Sequence, residues 1–196
     1  MSRYKPQSQF MLRSKLWSKS KRILKRFENQ SRSLTVGEHE LARSIFATNI
    51  ELHDVRLKTA WWVLKNYAVS PNGNIYFHND NWLTDFSQAS LSKQSWLIHE
   101  LTHVWQWQQG VKVVRGALIN RRYSYKLKVG KSFFNYGIEQ HARMVQDYFI
   151  RRQLGQDCEE LAGCIPFLKP QTKDANFDTN HSKDDSATIL SRNYLK

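Results

Sequence analysis

The sequence predicts an α+β, helix-rich fold with a small sheet set beside a buried central helix. Three observations carry that prediction. Apolar side chains recur at helical spacing in LARSIFATNI, from Ser90 to about Gln109, and from about Gly137 to Leu154. Ile75-Tyr76-Phe77 is a short β-branched and aromatic run that follows a turn signal, Ser70-Pro71-Asn72-Gly73-Asn74. The composition, 40% hydrophobic with 7 Trp in 196 residues, suits one packed domain rather than two.

Taken in order, residues 1–33 form a basic N-terminal arm. It holds ten Lys/Arg and one acid, Glu28, and Leu16, Ile23, Leu24 and Phe27 fall near helical spacing within it. The domain is expected over 34–168. Thr35 and Glu38 form a capping box, which opens the first helix. VRLKTAWWVLKNYAV is strand or helix; its pattern fits both. Ser90 or Ser92 caps the central helix and Gly110 stops it. Trp96, His99, Glu100, His103, Val104 and Trp107 share one side of that helix. Ile98, Leu101 and Trp105 make the other side apolar, so it is deeply buried. The stretch from Tyr123 to Asn135 is a basic, aromatic loop. The last long helix carries the stripe Ile138, Ala142, Val145 and Phe149. Residues 169–196 are polar, lack periodicity and read as a mobile tail.

Net charge is +13, which favours anionic partners: nucleic acid, lipid headgroups or cell wall. No apolar run reaches the roughly 18 residues of a transmembrane helix. Lys and Arg interrupt every apolar stretch from Phe10 to Phe27, so a signal peptide is not expected and synthesis in the cytoplasm is. Cys158 and Cys164 stand six apart with no CxxC, which argues against a zinc finger. They can form a small disulfide or remain thiols.

The chemistry concentrates in His99-Glu100-Leu101-Thr102-His103. Residues i and i+4 share a helix face one turn apart, so two imidazoles can reach one ion. The Glu beside the first His can take a proton from water made acidic by zinc. Two His and a Glu among Trp, Leu and Val are costly to bury unless a partner satisfies them, and a metal does so. A catalytic zinc needs a third protein ligand and an open position. The HExxHxxGxxH pattern does not supply it, because Gln106 and Gln109 occupy the matching positions. Candidates are Glu139, His141 and Asp147 on the last helix, and His78 and Asp85 ahead of the motif. Glu139 sits beside the apolar stripe with its carboxylate along the buried edge, His141 lies on the other flank, and Asp147 points away. Glu139 is therefore favoured; its competing reading is a surface ion pair to Arg143 at i+4.

LTVGEHELARSIFATNI, VRL, GNIYF, DFS, LIHELTHVWQWQQG and NYGIEQHARMVQDYF follow one another in the order of a known pattern. Over residues 34–152 the chain resembles the zinc metallopeptidase domain at the C-termini of VgrG spike proteins, also found in stand-alone Rhs/Vgr-associated proteins of type VI secretion systems. The resemblance implies a zincin-like fold with gluzincin-type ligation: one Zn2+ per chain on His99, His103 and Glu139, with Glu100 as general base. It implies that Ile75, Tyr76 and Phe77 form the edge strand that aligns an extended substrate. It also implies an antibacterial effector or toxin secreted by a type VI system and acting in the periplasm of a target cell. Its partners would be a protein or peptide substrate, a spike or adaptor protein and an immunity protein. The chain departs from the family pattern at His141, where Gln is common. Tyr123, Tyr125, Tyr136 and His141 are candidates to stabilise the oxyanion of amide hydrolysis. Three rival readings stand beside this one. The same zinc site would serve a peptidoglycan-peptide amidase or endopeptidase. Residues 1–33 would serve a non-enzymatic membrane- or nucleic-acid-binding protein, although no specific nucleic-acid motif is visible. The third rival is a structural metal protein without turnover.

Overall fold

The computed structural model describes residues 30–111 and 122–168. The arm up to residue 29 and the tail from residue 169 lie outside them. Four strands and four helices follow in the order β1 (Ser31–Ser33), α1 (Val36–Phe46), β2 (Arg56–Thr59), β3 (Ala68–Val69), β4 (Ile75–Phe77), α2 (Leu91–Gln108), α3 (Ile138–Gln153) and α4 (Glu159–Cys164). The α+β class and the small sheet beside the HExxH helix are as the sequence predicts.

The expected capping box opens α1. Thr35 Oγ1 accepts from the Glu38 amide at 3.1 Å, and Glu38 accepts from the Thr35 amide at 2.9 Å. Glu38 is fully buried and takes further bonds from the Phe86 amide at 2.8 Å and from both Arg32 nitrogens at 2.6 and 2.7 Å. A buried carboxylate needs such partners. Arg32 lies on β1, so this pair ties the strand to α1. Residues 31–33, given to the arm by sequence, are thus part of the sheet; they are too few and too polar to show a strand period.

The sheet order is β1-β2-β4-β3. β1 runs antiparallel to β2, β2 parallel to β4, and β3 antiparallel to β4. The ambiguous segment VRLKTAWWVLKNYAV divides into β2, a turn that exposes Trp61 and Trp62, and the two-residue β3. One expectation needs correction. Ile75-Tyr76-Phe77 is not an edge strand, because β4 is bonded to β2 on one side and β3 on the other. Its apolar residues suit that interior place: Ile75 and Phe77 are fully buried, and Phe77 stacks on Phe86 at 4.8 Å. The outer edges are β1 and β3.

The inner face of the sheet packs toward α2, whose residues 97–106 are all buried. α3 lies along α2 and carries the buried stripe Ala142, Val145 and Phe149. Helix α2 ends where the sequence predicts, with Gly110 at φ +78° just past it. Gly73, also at φ +78°, sits under the Trp107 ring; a Cβ there would meet ring carbons at 2.8 Å. This contact holds the turn after β3 against the last turn of α2. No disulfide joins Cys158 to Cys164. Among the described residues, no helix is long and apolar enough to cross a membrane.

Candidate metal centre

His99 and His103 project from α2 one turn apart, with ring centroids 5.0 Å from each other. Glu139, in the first turn of α3, faces both: its Oε2 lies 3.5 Å from His99 Nε2 and 3.3 Å from His103 Nε2. All three residues are buried, and their ligand atoms lie within 4.8 Å of one another. Ligands about 2.0–2.2 Å from a tetrahedral cation stand roughly 3.3–3.6 Å apart. The donor set, two imidazole nitrogens and one carboxylate oxygen, is that of a catalytic rather than a closed structural site. These residues fit a metal ion.

The electrostatics agree. Burial works to raise the Glu139 carboxyl, but hydrogen bonds from His103 and His99, then their charge, outweigh it and hold the group at about 2. Glu139 is therefore anionic across the physiological range. Burial works to lower His103, yet the Glu139 hydrogen bond and the charges of Glu100 and Glu139 win and raise it above the usual imidazole value. Arg143 does not compete for Glu139, since it pairs with Asp147 at 3.0 Å.

Glu100 is buried beside this group and accepts a 2.9 Å hydrogen bond from Ser70 Oγ. Ser70 directly follows β3, so the sheet edge left unpaired among the described residues leads into the Glu100 carboxylate. Sequence reading saw Ser70 only as the start of a turn.

The other candidates lie elsewhere. His78 caps a 3-10 turn by accepting from the Asp80 amide, and Asp85 accepts from Ser87 and Thr35. Asp147 accepts from Tyr125 Oη at 2.9 Å; burial and the Asp147 charge hold that phenol well above its usual value. Tyr136 Oη donates to the Lys126 carbonyl and accepts from the Lys128 amide. His141 Nε2 donates to the Phe133 carbonyl at 2.7 Å, and burial, helped by nearby His103, brings its pKa to about 4 against that carbonyl. Tyr123 lies against the centre, with its ring centroid 6.0 Å from that of His99.

No family model matches the chain. Over 133 residues, 62% of its length, the chain is 39% identical to the type VI secretion system spike protein VgrG2b of Pseudomonas aeruginosa; the match spans 13% of that protein. The solved effector domain of Pseudomonas aeruginosa VgrG2b superposes with a TM-score of 0.60 at 36% identity, over 67% of this chain and 80% of that domain. This chain belongs to the family of the VgrG2b effector domain. What it shares with VgrG2b is the effector domain, and only a small part of the spike protein's length. Within this VgrG2b-like domain, sequence reading brought together His99, Glu100, His103 and Glu139 but missed two supports, Ser70 and Gln106. The signal for Gln106 was its position three residues after His103, on a helix buried all round.

Proposed function

We propose that this chain is a zinc-dependent metallopeptidase and a type VI secretion effector. The observation that carries the reading is the buried Glu100 carboxylate, held by Ser70 next to a His99-His103-Glu139 group at ligand spacing. Zinc on that group would polarise a peptide carbonyl and make water acidic enough to lose a proton near neutral pH. Glu100 accepts the proton and delivers it to the leaving amine. Ser70 occupies Oε2 and leaves Oε1 for the transfer. An extended peptide pairing with the outer edge of β3 would run past Ser70 toward Glu100, so β3 takes the substrate-aligning role. Tyr123 is the proposed donor to the developing oxyanion. Tyr125, Tyr136 and His141 have their polar atoms bonded to Asp147, to Gln106 or to backbone, and they hold the frame. The secretion route rests on kinship with the VgrG2b effector domain; the periplasm of a target cell is the proposed place of action.

The test uses the zinc-loaded full chain against protein substrates and purified peptidoglycan. Glu100→Gln is expected to keep zinc and lose hydrolysis by about 10²–10⁴-fold. Wild-type hydrolysis by that variant would remove the base assignment. Release of muropeptides with protein substrates intact would move the target to cell-wall peptide.

A further inference from the structure

One buried polar side chain near the ligands has no part in the chemistry above. Gln106 lies one turn beyond His103 on α2 and is 1% exposed. Its Oε1 is 2.8 Å from His103 Nδ1. Its Nε2 is 3.0 Å from the Ile138 carbonyl and 3.1 Å from His141 Nδ1. His141 in turn places Nε2 2.7 Å from the Phe133 carbonyl and stacks on the Phe133 ring at 4.2 Å.

Hydrogen positions in this chain follow from two groups that can only accept, the backbone carbonyls. The Phe133 carbonyl requires a hydrogen on His141 Nε2. In a neutral ring that leaves a lone pair on Nδ1, which accepts from an amide N–H. The Ile138 carbonyl likewise requires the NH2 end of Gln106. The Gln106 oxygen must then face His103, so His103 Nδ1 carries the hydrogen. That leaves Nε2, 3.3 Å from Glu139, as the atom that exchanges its partner. Without a metal it carries the second proton and donates to Glu139; once that proton leaves, its lone pair is the one that would face the ion. Any flip of the amide or ring would set lone pair against lone pair or hydrogen against hydrogen at buried atoms, where such a mismatch is costly.

We infer that Gln106 and His141 are positioning residues that fix the tautomer and orientation of His103 and set Glu139 opposite it. Ile138 is the residue before Glu139, so the amide that orients one ligand also fixes where the helix bearing another begins. His99 has no such support: its Nδ1 is buried without a hydrogen-bond partner among the described residues. The centre is thus built from one side, through α3. This inference rests on the reading of His99, His103 and Glu139 as metal ligands.

The experiment compares the full chain with Gln106→Met, Gln106→Glu, His141→Leu and His141→Gln. Zinc affinity is measured by chelator competition, the visible spectrum of the Co2+-loaded protein reports ligand geometry, and metal-free melting reports the fold. Gln106→Met is expected to weaken zinc about 10–100-fold and alter the Co2+ spectrum. Gln106→Glu keeps the acceptor for His103 but loses the donor, and is expected to weaken zinc less. His141→Leu removes the acceptor for Gln106 and is expected to weaken zinc. His141→Gln restores one donor and one acceptor, and is expected to stay within about threefold of wild type with an unchanged spectrum. Wild-type affinity and spectrum in Gln106→Met or Gln106→Glu, with zinc bound by the parent, would overturn the inference. So would equal damage from His141→Gln and His141→Leu. A parent chain that binds no divalent ion would defeat the metal reading itself, a distinct result.

Discussion

The two walls of the candidate metal centre are built to different standards. Where α2 meets α3, Glu139, His103, Gln106 and His141 form a run of hydrogen bonds ending on backbone carbonyls. On the sheet side, one hydroxyl, Ser70, reaches Glu100, and the strand just before it is two residues long, with no strand on its outer side among the described residues. In the segment leading into β3 the aromatics face water: Trp61 is 71% exposed and Tyr67 56%. A wall that must hold an ion benefits from every polar atom being satisfied, because each misplacement is costly in a dry interior. A wall that must receive a chain has to leave backbone groups and apolar surface uncovered. Under the proposed function, the contrast separates holding from receiving within one small site.

The largest effect should come from the holding wall. His99→Ala and Glu139→Ala are each expected to abolish stoichiometric zinc, measured by elemental analysis of the purified protein. Full zinc in Glu139→Ala would break the contrast at its root. Next is pH. Proton and zinc compete for His103 Nε2, while Glu139, with a pKa of about 2, stays ionised. His103 is raised, so the proton competes up to higher pH than it would for an ordinary imidazole. Zinc affinity should be flat well above the His103 pKa and fall at least about tenfold per pH unit below it, with the His103 proton released on binding. Titration between pH 5 and 8 checks this, and a flat profile throughout would contradict it.

Smaller effects belong to the receiving wall. Ser70→Ala should leave zinc in place and slow hydrolysis about tenfold, the scale of a hydrogen bond to a charged group. Loss of zinc instead would show that both walls hold the ion. Trp61→Ser should change thermal stability least, within about 0.5 kcal/mol, because the ring packs on little. A large drop in melting temperature would mean that the aromatic turn is structural.

The holding wall was more legible in sequence than the receiving one, for physical reasons. HExxH, the Thr35-Glu38 box and the stop at Gly110 are local patterns whose geometry is fixed within one or two helical turns. Glu139 was legible because helical period alone sets it at the margin of a buried stripe. The place of β4 was not, because strand order depends on pairing between segments, and a two-residue partner such as β3 leaves no period to read. Ser70 looked like a turn residue, and Gln106 looked like a mismatch to a familiar third-ligand spacing. Both work through partners 30 and 32 residues away, Glu100 and the Ile138 carbonyl. His141 and Tyr125 drew notice by chemical type, yet their partners fix them in the frame.

The bidentate bond from Arg32 to Glu38 has a mechanical consequence. Gln30 and Thr59 exchange hydrogen bonds at 2.8 and 2.9 Å, and Arg32 follows at once with its grip on α1. Tension applied to the chain ahead of Gln30 would load β1 in shear along β2 and pull on the Arg32 clamp. The load would reach the sheet and the start of α1 before the α2–α3 seam. A domain hauled by its N-terminal end would thus yield first at its far margin, and its metal centre last.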